Sequence, residues 1–129
     1  KKDFNYINFS TNETNLNNQK VKPFIKEFNY YLDVLKNFSD WTIQRLETNK
    51  DDVSAAANDY LKTLGYISLA FSWIKVLNIS FKDYEENKKF YDDKINTAKF
   101  YFDKVLPRAE QHYKSAITGS LNIMNFKFS

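Results

Sequence analysis

From Pro23 onward, apolar side chains return every three or four residues. Ile25, Phe28, Leu32, Leu35, Thr42 and Leu46 share one helical face, flanked by Phe24, Tyr31 and Phe38. That spacing predicts an amphipathic helix over about Pro23 to Thr48. Proline suits its first turn, where a missing N–H costs nothing. Asn49 to Asp52 then supplies cap-type and acidic side chains, which meet the free N–H groups and the positive end of a helix. A second helix is therefore predicted from near Asp51. Its stripe is Val53, Ala56, Tyr60, Leu64, Ile67, Phe71 and Ile74, but Leu61, Tyr66, Leu69, Ala70, Trp73, Val76 and Leu77 fill its other faces. Lys75 is the only charge between Lys62 and Lys82. A helix apolar nearly all round is expected to be buried against several neighbours, or against neighbours plus a partner surface.

A polar connector, Phe81 to Asn87, leads into a third stripe of Tyr91, Ile95, Ala98, Phe102 and Val105. Pro107 lacks the amide donor and crowds the preceding turn, so it is expected to kink or end that helix. A short fourth helix, about Arg108 to Thr118, would turn Ala109, Tyr113, Ala116 and Ile117 inward, with Gly119 as its natural stop. Ser120 to Ser129 holds Leu121, Ile123, Met124, Phe126 and Phe128, too apolar for a free tail, and is expected to dock. The predicted fold class is all-α: an antiparallel helical bundle of three long helices plus a short fourth, spanning residues 23–129.

Residues 1–22 read differently. The first twenty contain six Asn, poor helix material, with Phe4, Tyr6 and Phe9 at near-alternating positions. They predict an irregular N-terminal linker or extended arm, or a strand that pairs with something upstream. No uncharged stretch is longer than Thr63 to Ile74, which is shorter than the ~20 residues of a spanning helix. With no initiating Met and no export signal at the start, Lys1 reads as a cut end and the chain as a piece of a longer one.

Composition narrows the chemistry. The 129 residues carry a net charge of +3, no cysteine, one histidine and two glycines. Without Cys there are no disulfides, thiolate zinc sites or cysteine nucleophiles. One imidazole, His112, builds neither a di-iron bundle site nor the usual catalytic zinc site. Gly65 and Gly119 alone cannot form a phosphate-cradling glycine loop. The lysines are interspersed with acids, which argues against nucleic-acid binding. Asp51-Asp52, Glu85-Glu86 and Asp92-Asp93 are sequence neighbours, so on a helix their carboxylates diverge by about 100° and read as caps and solvated faces. Glu110 and His112 likewise sit on different faces. Trp41, Trp73 and the tyrosines read as core before they read as a ligand box. No catalytic, cofactor-binding or metal-binding residue is assigned.

Two segments carry a resemblance. Ala56-Ala-Asn-Asp-Tyr-Leu-Lys-Thr-Leu-Gly-Tyr-Ile-Ser-Leu-Ala-Phe-Ser-Trp-Ile-Lys75 is similar to the signature helix of the acyl-CoA dehydrogenase C-terminal-like domain. Tyr91-Asp-Asp-Lys-Ile-Asn-Thr-Ala-Lys-Phe-Tyr-Phe, through Val105-Leu-Pro107 to Ile117-Thr-Gly119, resembles the next helix of that module. Trp41-Thr42 sits where the module tends to place a small polar residue of its first helix. The Lys- and Asn-rich surface departs from the family's usual Ala-, Leu- and Arg-rich texture.

The resemblance implies a bacterial, cytoplasmic parent enzyme that oxidises an acyl-CoA thioester to the 2,3-enoyl-CoA with FAD. The flavin site, the substrate pocket and the catalytic carboxylate would lie in preceding domains. None of Glu27, Glu47 or Glu110 takes the role of the base. The expected partners are the remainder of that enzyme and a second subunit of a homo-oligomer, met through Leu64 to Leu77 and Leu121 to Phe128. The competing expectation is an independent bundle that binds a protein or a membrane surface.

Overall fold

Local signals and tertiary packing agree over most of the chain. The computed structural model describes the backbone of residues 19–128 and the side chains of residues 19–118. The expectations for the N-terminal arm up to residue 18 and for the docking of the tail side chains lie outside the described residues. A 3-10 turn, Gln19–Val21, feeds helix α1, Lys22–Thr48, with Pro23 in its first turn. Asn49 alone joins α1 to α2, Lys50–Lys82. Its side chain accepts from the N–H groups of Asp51 (3.2 Å) and Asp52 (3.3 Å), filling two donors that the helix itself cannot satisfy. Asn87 repeats the device for α3, Lys88–Phe100, accepting from the Phe90 N–H at 3.2 Å.

Pro107 does not reverse the chain. Its ring crowds the carbonyl four residues back and it offers no N–H. The helix answers by widening into a π-turn, Tyr101–Val105, in which the Leu106 N–H donates to the carbonyl of Tyr101, five residues back, at 2.8 Å. Phe100, Tyr101 and Leu106 all keep right-handed helical backbone. Helix α4, Arg108–Phe128, then carries on as the continuation of a kinked rod.

The fourth helix is thus longer than the sequence suggests, because Gly119 does not stop it. A glycine inside a helix costs about 1 kcal/mol relative to Ala. It ends a helix only where it adopts positive φ, and no glycine among the described residues does.

Three rods form the bundle. Along α2 the partners fall in number as those on the α3–α4 rod rise: Tyr66 meets Tyr101, Thr63 meets Ala109 and Asp59 meets His112. These two rods are therefore antiparallel. Along α1 they rise together, from Phe24 with Phe102 to Phe38 with Tyr113, so α1 and the kinked rod run parallel. No strand occurs among the described residues.

The main core gathers Val21, Phe28, Ile74, Leu77, Phe102 and Leu106, all essentially inaccessible. A smaller cluster at the other end places Phe38 against Ala56 and Ala116, its ring 5.1 Å from Tyr60 and 5.2 Å from Tyr113. Each fully buried phenylalanine contributes roughly 1.5–3 kcal/mol by leaving water.

The second helix differs most from its expected environment. It buries an arc through Ala56, Thr63, Ile67, Ala70, Ile74 and Leu77, while Leu64 of the predicted stripe faces outward. It is not enclosed on all sides. By length and composition alone it reaches what a membrane-crossing helix needs, since a span tolerates an interruption such as Lys75 that ends an uncharged run. Only 28% of its most apolar stretch is buried in the fold.

Candidate interaction surface

The bundle brings some of the chemistry-bearing residues together and disperses others. His112 Nδ1 lies 2.8 Å from Asp59 Oδ1 across the α2–α4 contact, and the imidazole stacks on the Tyr66 ring with centroids 5.9 Å apart. Two residues away, Glu110 turns to the other side and accepts a hydrogen bond from the Tyr30 hydroxyl of α1. That bond holds the Tyr30 phenol above its ordinary pKa, with a smaller effect of burial.

The adjacent acidic pairs diverge as helical geometry requires. Asp52 reaches Arg45 at 3.7 Å, Glu85 pairs with Lys88 at 3.3 Å, and Asp92 accepts from the Tyr84 hydroxyl at 2.8 Å. No group of three potential metal ligands assembles among the described residues.

The tryptophans pack on different neighbours. Trp41 sits edge-on to Phe38 beneath the Arg45 guanidinium, and Trp73 tilts against Tyr101. Among the described residues, Tyr101 has the clearest shift. Its hydroxyl donates to the Tyr66 carbonyl at 2.5 Å, and burial, aided by Tyr66, pushes its pKa up to about 12.

An apolar groove of about 270 Å³ opens between α1 and α2, lined by Thr42, Val53, Ala56, Ala57, Tyr60 and Leu61. It offers no cation for a phosphate and no hydrogen-bonding edge for a flavin ring. The groove does not fit FAD.

The most extended feature lies on the far side of α2 from the core. Leu61 is 64% exposed, Leu64 40%, Leu69 54% and Ile79 51%. Gly65, Ser68 and Ser72 lie exposed on the same face. A Cβ built at Gly65 meets nothing within 4 Å. Lys75 leans off this face, its ammonium 4.7 Å from the centre of the Phe71 ring. The result is a strip about 27 Å long, from Leu61 to Ile79, that presents aliphatic and small side chains to solvent. Periodicity alone did not locate it, because apolar residues on both sides of a helix leave its phase undetermined.

The described residues form an all-helical bundle with an exposed apolar face on α2. Residues 7–127 match the profile of the family described as Acetyl-CoA dehydrogenase C-terminal like. The chain belongs to that family. No curated protein and no solved structure matches it.

Proposed function

We propose that the chain is the non-catalytic C-terminal helical domain of an FAD-dependent acyl-CoA dehydrogenase of bacterial type and cytoplasmic location. The parent would oxidise a fatty acyl-CoA to the 2,3-enoyl-CoA, with flavin and catalytic base in the domains before this one. This domain's part is structural: it packs on the catalytic body or across a subunit boundary. The observation that carries the reading is the open face of α2, since a solitary bundle gains nothing by keeping Leu61, Leu69 and Ile79 in water.

Hydrogen exchange tests the reading in the full-length parent, identified from the coding sequence upstream of Lys1. Backbone amides of residues 61–79 should exchange more slowly in the whole enzyme than in this chain alone. Equal exchange in both, or an upstream sequence without a flavin-binding body, overturns it.

A second reading rests on the span-like composition of α2: a bundle that lies on a membrane surface. Co-sedimentation of the chain with anionic vesicles, weakened by salt, would favour it.

A further inference from the structure

We propose that the apolar groove between α1 and α2 is the seat of the chain's own N-terminus: residues 4–9 lie in it, and residues 10–18 are the tether that brings them there. The inference goes beyond the packing-module reading and does not rest on the enzyme parentage.

The groove lies at the Asn49 end of the bundle. Thr42 forms its α1 wall, and Val53, Ala57 and Leu61 stand on its α2 wall. Leu46, one turn beyond Thr42, is 49% exposed and Ile43 59%, so the apolar surface continues out of the groove onto α1. The described chain begins at the opposite end. Val21 is buried in the main core and the Lys20 ammonium stands 5.8 Å from the centre of the Phe81 ring, so the residues before Gln19 set out from the last turn of α2. Along α1 from Lys22 to Thr42 is about 30 Å, and along α2 from Phe81 back to Ala57 about 36 Å.

The order of residue types in the first eighteen positions matches that distance. Residues 10–18 contain one apolar side chain, Leu16, whereas residues 4–9 contain four, Phe4, Tyr6, Ile7 and Phe9. Extended chain covers ~3.3 Å per residue, so Phe9, ten positions before Gln19, reaches about 33 Å and Phe4 about 50 Å. The apolar cluster therefore begins where the tether first attains the groove, and the polar positions fall where the route crosses solvated helix surface. The match to the family profile starts at Ile7, inside this cluster, so the pattern shared by the family is not confined to the helices.

Charge agrees with the route. Phe71 packs on Phe28 of α1 with ring centroids 5.9 Å apart, and Lys75 leans over Phe71. That puts Lys75, and Lys82 two turns further on, along the edge of α2 that borders α1. No acid stands on α2 between Asp59 and Asp83, and Glu13 is the only charge of residues 10–18. The tether thus carries its one carboxylate past an edge of lysines, a complementary pairing. A segment on so short a tether is present at an effective concentration on the order of millimolar, so weak apolar contacts keep it seated against untethered competitors. The strap moves the point where the chain enters the domain from the Gln19 end to the Asn49 end. It leaves the edge of α2 that bears Leu69 free for the contact proposed above.

Nuclear Overhauser spectra of the intact chain test the seat. Ring protons of Phe4, Tyr6 or Phe9 should give cross-peaks to methyl groups of Val53, Ala57 and Leu61, unchanged on dilution. Ala57 is exposed on its helix, so Ala57→Lys costs the fold itself little while filling the groove with a charged side chain. It should remove those cross-peaks and speed cleavage after Glu13 by a glutamate-specific protease about tenfold, since cleavage follows the population of the open form. Ala57→Ser should do neither. Absence of the cross-peaks in the unmodified chain, or equal cleavage in the unmodified and Ala57→Lys chains, overturns the proposal. So do cross-peaks that arise only between differently labelled chains, which make the groove a contact between copies, and groove methyls that shift with phosphatidylglycerol vesicles while residues 4–9 stay off them. A groove without residues 4–9, in a chain whose 61–79 amides are protected in the whole enzyme, overturns the strap and leaves the packing-module reading standing.

Discussion

The Thr63 hydroxyl lies 3.2 Å from the Ala109 carbonyl, across the contact between α2 and α4, and no solvent reaches the threonine. The same hydroxyl is 2.9 Å from the Asp59 carbonyl within its own helix. A buried hydroxyl is costly unless paired, so its single proton, shared between two carbonyls, ties the rods together at one register. Thr63→Val keeps the shape and deletes the bond. It should lower unfolding stability by about 1 kcal/mol, read as a reduced urea midpoint at unchanged slope.

The second cluster depends on one ring. Phe38 is fully buried and has three aromatic neighbours, Trp41, Tyr60 and Tyr113. Phe38→Ala should cost about 3–5 kcal/mol in chemical denaturation. Ile43→Ala on the same helix, at a side chain 59% exposed, should stay within about 0.5 kcal/mol.

Tyr101 gives the fold an alkaline limit. Its folded-state pKa near 12 lies above the ordinary value of 10. Below pH 10 the phenol is neutral whether the chain is folded or not, and the full stability is present. Between about 10 and 12 the unfolded chain releases this proton and the folded chain keeps it, so stability falls as pH rises. Tyrosinate absorbance should show a late-ionising phenol that Tyr101→Phe removes. If all the tyrosines ionise together near pH 10 in folded protein, this account of Tyr101 fails.

Glu27 makes a milder statement at the other end of the scale. Partial burial, and then the nearby Asp103 carboxylate, raises its pKa. A raised carboxyl favours folding below its unfolded pKa, and that contribution disappears as pH climbs through the folded value. Glu27→Gln should therefore raise unfolding stability slightly at pH 7, by less than about 0.5 kcal/mol given its exposure, and leave it unchanged at pH 3.

Helix positions were legible in the sequence wherever a local signal and a packing stripe coincided. Pro23 and the Asn49 cap mark their helices within a residue or so, and the predicted inward residues Ile95, Ala98, Ala109 and Ala116 are buried. Where one side chain answers to tertiary context, the reading was incomplete. Val21 precedes the proline yet lies in the main core, because the 3-10 turn folds it under α1. Thr63 and Ser80 are polar in type but buried, each donating to a backbone carbonyl. The outward phase of α2 was hidden by having apolar residues on both faces, and the π-turn has no composition of its own. No catalytic site was assigned from the sequence; Leu64 to Leu77 was expected as a contact surface, and which of its residues face outward is set by what their neighbours cover.

The π-turn also acts as a phase adjuster. Each residue turns a helix by about 100°, so one additional residue within a single widened turn resets the azimuth of everything after it. Closing Tyr101–Val105 to an ordinary pitch without losing a residue would swing α4 by about 100° about its axis. Ala109 and Ala116 would leave the groove of α2, and bulkier or charged neighbours would enter it. The two halves of the kinked rod are therefore geared to one another, and the length of this segment is fixed by rotation as much as by reach.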